Sequence, residues 1–144
     1  MTFDETEFAA FLDDISRPFL ERDITRWRAR MILPFSMVTA TGPVLLETEA
    51  DVERNFNLYL TASDVMHLTN VVRAPLSAEL CFDGTVIATY KTELISNSQR
   101  VTAPYTASAL MHPTSDGWKM SSILNARGHH DWTGQHPQMT GDKT

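Results

Sequence analysis

The sequence predicts an α+β domain, in which three N-terminal helices precede a curved antiparallel sheet. Apolar residues recur every three or four positions in three segments before residue 64, which is typical of helices. From residue 67 onward they recur at every second position, which is typical of strands, and turn dipeptides separate these strands. The 144 residues suffice for one domain but not for two. A long sheet should curl around the helices and leave a conical cavity between the two layers.

The first helix should begin at Phe3, because Thr2 and Glu5 form a capping-box pattern. Its apolar face consists of Phe8, Phe11, Leu12, Ile15 and Phe19. Pro18 lies within that pattern and should kink or restart the helix. A second, shorter helix should follow Asp23, a good N-cap, with Ile24, Trp27, Met31 and Ile32 on one face and its end at Pro34.

Gly42-Pro43 marks a turn between two short extended segments that follow the second helix. Thr48 and Asp51 then supply another capping box, which predicts a third helix to about Ser63. The face of this helix is formed by Val52, Phe56, Tyr59 and Leu60.

Four strands are predicted, over residues 68–82, 85–95, 100–112 and 118–125. The hairpin turns between them are Asp83-Gly84, Asn97-Ser98 and Asp116-Gly117. Pro75 and Pro104 indicate bulges or edge positions. We therefore divide the chain into a domain over residues 1–125 and a polar C-terminal tail over 126–144, mostly loop or disordered.

Composition excludes several classes of protein. The net charge of −6, without any block of Lys or Arg, argues against a nucleic-acid partner. The lone Cys81 excludes a disulfide framework and a multi-cysteine zinc site. No apolar run is long enough to span a membrane, and the acidic start MTFDETEF does not resemble a signal peptide, so we expect a cytoplasmic protein without membrane association.

An ordered set of short motifs resembles the nuclear transport factor 2-like (NTF2-like) superfamily, including its SnoaL-like and scytalone dehydratase branches. The matching residues are Arg22-Asp23, Trp27, Pro34, His67-x-x-Asn70 and the segment 116–120, DGWKM. The match covers residues 4–125. It implies a cystatin-like cone with an internal pocket for a small molecule, and a homodimer formed through the outer sheet faces. The superfamily includes isomerases, cyclases, dehydratases, enzyme small subunits and binding modules, so the fold does not fix a reaction.

His67 resembles in position a pocket histidine of scytalone dehydratase, and imidazole is well suited to proton transfer near neutral pH. The alternative is a histidine that is hydrogen-bonded or exposed at a strand end. Tyr90 lies near a second pocket histidine of that enzyme, where a phenol could donate to an oxyanion or simply pack across strands. We name His67 and Tyr90 as catalytic candidates. The predicted pocket lining is Trp27, Tyr59, His67, Tyr90 and Tyr105.

The carboxylates that the family's chemistry uses are missing from this chain. The segment 36–41, SMVTAT, holds no aspartate where isomerases and cyclases of the superfamily place a base. Phe19 and Leu20 replace a tyrosine and an aspartate of scytalone dehydratase, and Ala107 and Ala109 stand near its polar residues. An unmodified isomerase or dehydratase mechanism is therefore disfavoured.

The tail holds the metal-capable residues His129, His130, Asp131 and His136. A flexible segment rarely builds a preorganised site, so we predict no metal and no cofactor. Trp132 could instead act as an apolar anchor that folds over the cavity mouth.

Three functions stay open. The first is a binding protein with an apolar, aromatic pocket for a small planar organic ligand. The second is a cofactor-free lyase or isomerase that uses His67 with Tyr90 or Tyr59. The third is a non-catalytic subunit that resembles the small subunit of ring-hydroxylating dioxygenases.

Overall fold

A computed structural model of the chain describes residues 2–134 and shows helices packed against one curved sheet. The helices are α1 (Glu5–Asp14), α2 (Pro18–Glu21), α3 (Ile24–Arg28), α4 (Glu49–Met66) and α5 (Ala126–Thr133). The strands are β1 (Met31–Thr39), β2 (Gly42–Leu46), β3 (Asn70–Leu80), β4 (Val86–Ser96), β5 (Gln99–Arg100), β6 (Tyr105–Thr114) and β7 (Gly117–Leu124). Their order is β2-β1-β7-β6-β4-β3, with β5 paired to β4. The predicted α+β class is confirmed.

Capping side chains fix where the helices begin. Asp4 caps α1, accepting a hydrogen bond of 2.9 Å from the Glu7 N–H, so the predicted start at Phe3 was wrong. Pro18 occupies the first position of α2, where its missing N–H costs nothing, and the predicted restart is confirmed. The capping box between Thr48 and Asp51 begins α4, which continues three residues beyond the predicted end at Ser63.

The predicted second helix was too long. α3 ends at Arg28, and Pro34 lies inside β1 instead of at a helix end. Met31 and Ile32 fit helical spacing from Trp27, but Met31 also shares a buried face with Phe35 in a strand.

β1 runs parallel to β7. The sheet is therefore mixed, whereas the sequence predicted a wholly antiparallel sheet. The register of this pair shifts between Met31 and Ser36, where Pro34 has no N–H to donate.

The antiparallel part of the sheet follows the sequence pattern. Asn97 and Ser98 have φ angles of 49° and 68°, and Gly84 and Gly117 also have positive φ, as tight hairpin turns require. Pro75 lies on the edge strand β3 beside a register shift, as predicted. The concave face of β6 buries Tyr105, Ala107, Ala109 and Met111 against the helices.

The segment after Asn125 was predicted to be mostly loop or disordered, and for its described residues this prediction was wrong. Residues 126–133 form α5, which contacts α4, β1 and β6. His136 lies outside the described residues, and the division at residue 125 stays a prediction. No helix within residues 2–134 has the length and apolar character that crossing a bilayer would require. The homodimer and the cytoplasmic location stay predictions.

Candidate functional site

A cavity of about 40 Å³ lies between the helices and the concave face of the sheet. Its lining is mostly aromatic and aliphatic: Ile15, Phe19, Trp27, Phe35, Met37, Tyr59, Arg73, Tyr90, Met120, Ile123, Asn125 and Trp132. A buried water needs roughly 10–15 Å³, so this space holds a few waters and no aromatic ring. Residues from both layers and from α5 thus line a small, largely apolar chamber.

The indole of Trp132 lines the cavity and packs against other aromatic residues. The side chain is 4% exposed, and its ring centroid lies 5.2 Å from that of Phe19 and 5.3 Å from that of Tyr59. Its Nε1–H donates a 2.7 Å hydrogen bond to the Tyr105 hydroxyl. A planar ring, held by aromatic neighbours and one hydrogen bond, therefore forms part of the cavity wall.

Tyr59 connects the cavity to α5 through a hydrogen bond. Its Oη lies 2.9 Å from Nδ1 of His129, with the direction of donation set by the imidazole tautomer, and 3.2 Å from the sulfur of Met37.

Burial raises the pKa of the Tyr59, Tyr90 and Tyr105 phenols above the usual value, although the positive charge of Arg73 partly offsets this rise. All three phenols therefore stay protonated at neutral pH and can donate hydrogen bonds, but they cannot act as bases.

Arg73 is the cation of the cavity wall. Its Nε donates to the Ser16 hydroxyl at 3.1 Å, and its Nη1 donates to the Thr92 hydroxyl at 2.9 Å. The guanidinium carbon lies 5.6 Å from the centroid of the Tyr90 ring, a cation–π distance. The same side chain also lines a surface groove between α1 and β3, so it borders both the cavity and this groove.

Two polar atoms of the cavity lining are buried without a hydrogen-bond partner among residues 2–134. One is the hydroxyl of Tyr90, whose side chain is fully buried, and the other is Oδ1 of Asn125. An unsatisfied buried polar group costs about 1–3 kcal/mol, so each atom offers a favourable contact to a polar ligand or to water.

Comparisons with known proteins identify the fold. No protein-family model and no curated protein matches the sequence. A cystatin-like domain of unknown function from Nostoc punctiforme superposes with a TM-score of 0.67 at 16% identity, over 88% of this chain and 78% of that one. An NTF2 variant reaches a TM-score of 0.61 at 11% identity, over 84% of this chain and 98% of that one. The chain has the NTF2-like fold.

Aln2 from a Streptomyces species has the same architecture, with a TM-score of 0.64 at 14% identity over 90% of this chain and 94% of that one. At these identities the likeness is one of fold, which confirms the predicted resemblance at that level. The activity of this NTF2-like chain has to be argued from its own residues.

The NTF2-like cone brings together three of the five predicted lining residues. Trp27, Tyr59 and Tyr90 line the cavity. Tyr105 does not line it, but its hydroxyl accepts a hydrogen bond from the Trp132 indole. His67 does not reach the cavity. It is exposed at the C-cap of α4, with a left-handed φ of 52°, because the helix extends to Met66 and the strand begins only at Asn70.

Three further residues of the site lie at positions that the sequence left open. From the sequence, Arg73 is either a residue that could bind a carboxylate or a solvated strand-end charge, and in the structure it shares the inner face of the sheet with Val71, two positions earlier. His129 was assigned to a mostly unstructured tail and Trp132 to an apolar anchor on that tail, whereas their i, i+3 spacing fits one face of a helix. The described residues contain no cluster of three or more His, Cys, Asp or Glu side chains that could hold a metal.

Proposed function

We propose that this protein binds a planar, mostly apolar organic molecule in the cavity, and that the ligand takes the place of the Trp132 indole. The observation that carries this proposal is the indole itself, which packs on Phe19 and Tyr59 and donates one hydrogen bond to Tyr105. A benzene-sized guest needs a cavity of about 150 Å³, far more than this cavity offers. The ligand therefore enters when α5 swings the indole out.

A titration with 2-naphthamide, a neutral bicyclic amide, tests this proposal. The Trp132→Ala variant should bind the amide at least about 10-fold more tightly than the unmodified protein, because no indole has to be displaced. Isothermal titration calorimetry on both full-length proteins measures the difference.

Trp118→Ala is the matched control for this titration. Trp118 is an equally buried tryptophan, but it does not line the cavity, so its removal should leave the affinity for 2-naphthamide unchanged. If neither the unmodified protein nor the Trp132 variant binds the amide, the proposed function is wrong.

A cofactor-free lyase or isomerase is the second candidate, and the contact between Tyr59 and His129 favours it. A buried imidazole 2.9 Å from a phenol of the cavity lining supplies a base and a donor, the chemistry that the sequence assigned to His67 and a tyrosine. Such a pair could remove a proton next to a carbonyl and donate to the enolate oxygen. The third hypothesis, a non-catalytic subunit, stays a prediction.

Deuterium exchange into 2-tetralone, an enolisable bicyclic ketone, distinguishes catalysis from binding alone. Under the enzymatic hypothesis the protein accelerates exchange at the carbon next to the carbonyl, as followed by NMR in heavy water. His129→Gln should then slow the exchange by about 10²–10⁴-fold. The exposed His67→Gln is the control and should leave the rate unchanged. Exchange at the uncatalysed rate with the unmodified protein would exclude this candidate.

A further inference from the structure

Arg73 is unusual among the arginines of this protein. Each of the other eight has a carboxylate oxygen within 4.0 Å: Arg17, Arg22, Arg26, Arg28, Arg30, Arg54, Arg100 and Arg127. Arg73 has no such partner among residues 2–134, although the chain carries 18 acidic residues against 12 basic ones. Within the described residues, its guanidinium donates to the hydroxyls of Ser16 and Thr92 and lies over the ring face of Tyr90.

The acidic residue in the neighbouring groove is already engaged. Asp13 lines that groove, but its carboxylate accepts hydrogen bonds of 2.8 Å from Arg17 and of 2.8 Å from Arg26. A half-buried cation surrounded by neutral groups is electrostatically uncompensated, since buried charges are normally paired. The charge of Arg73 therefore favours an anion beside it.

Tyr90 supplies the second, independent observation. It is fully buried, it lines the same cavity as Arg73, and its hydroxyl has no hydrogen-bond partner among the described residues. A guanidinium and a phenol hydroxyl are both donors. The group that satisfies both at once is an acceptor with two oxygens and a negative charge.

We propose that Arg73 and Tyr90 bind the carboxylate of the ligand, so that the ligand class is a planar aromatic carboxylic acid. The ring takes the place of the Trp132 indole between Phe19 and Tyr59, and the carboxylate accepts from the guanidinium and from the Tyr90 hydroxyl. This inference rests on the proposed function, because it assigns the polar end of the ligand in the same cavity.

The experiment compares 2-naphthoate with 2-naphthamide, which have the same ring system and differ in charge. In the Trp132→Ala protein, the carboxylate should bind about 10- to 100-fold more tightly than the amide, the range expected for a charge-assisted hydrogen bond. Adding Arg73→Met should remove this preference and leave the affinity for the amide unchanged. Adding Tyr90→Phe instead should weaken naphthoate binding about 3- to 10-fold.

Arg22→Met is the matched control, because Arg22 pairs with Asp64 on the surface and neither residue lines the cavity. If both probes bind equally and Arg73→Met changes neither affinity, the carboxylate assignment is wrong while the proposed function stands. If neither probe binds, the proposed function itself is wrong. A preference for naphthoate that survives Arg73→Met also overturns the assignment. Circular dichroism checks that each variant folds. If the Arg73→Met variant does not fold, the effect of Tyr90→Phe on naphthoate binding decides whether the carboxylate assignment holds.

Discussion

Replacing Trp132 with alanine is expected to lower the free energy of unfolding by about 3–5 kcal/mol, the usual cost of removing a buried tryptophan. The indole is 4% exposed, packs on two aromatic rings and donates to Tyr105, so its loss leaves a cavity and removes a buried hydrogen bond. Urea denaturation followed by circular dichroism measures this effect.

Phe82→Ala is the comparison for this prediction, since Phe82 is 113% exposed at the tip between β3 and β4. A substitution at so exposed a site should change the stability by less than about 0.5 kcal/mol. A loss below about 1 kcal/mol for Trp132→Ala would mean that α5 contributes little to the folded state. The proposal that a ligand takes the place of this indole would then have to be abandoned.

The second large effect is expected at alkaline pH. Tyr59, Tyr90 and Tyr105 are the only tyrosines of the chain, all three are buried, and burial raises the pKa of each phenol. The unfolded chain loses these protons near the ordinary pKa of about 10, whereas the folded protein keeps them. Stability is therefore unaffected by these groups below about pH 10 and decreases above it, by about 4 kcal/mol per pH unit for three phenols.

Phenolate absorbance at 295 nm measures this directly. In 8 M urea the absorbance should rise with a midpoint near pH 10, and in buffer it should rise only together with the loss of the circular dichroism signal. A smooth rise near pH 10 in the folded protein would show that the tyrosines are accessible to solvent, contrary to the structure.

The sequence predicted most of the fold because its local signals agree with the tertiary structure. The capping box at Thr48, the restart at Pro18 and the hairpin turns at Asn97-Ser98 are decided by backbone chemistry within a few residues. The segment around Met31 was assigned wrongly because its apolar spacing fits a helix and a strand equally well. Only the distant strand β7 decides between them, and no local pattern can reveal that partner.

The site was harder to predict, since it depends on register and on a helix with weak sequence signals. The aromatic walls at Trp27, Tyr59 and Tyr90 followed from periodicity. The position of His67 depended on where α4 ends, and three extra helical residues moved it to the surface. The position of Arg73 at the cavity depends on strand register, because its pairing with Thr92 places it on the concave face. The sequence alone does not determine this register.

The parallel pairing of β1 with β7 has a consequence for the newly made chain. Met31 pairs with Met120, so β1 lacks this neighbour until roughly ninety further residues have been synthesised. At about 5–20 residues per second, that delay amounts to roughly 5–20 seconds on the ribosome. During this interval Met31, Phe35 and Met37 have no β7 to complete their side of the core, and α5 has not yet emerged to close the chamber. A nascent chain of this protein therefore exposes the apolar side chains of β1 to chaperones and to neighbouring nascent chains.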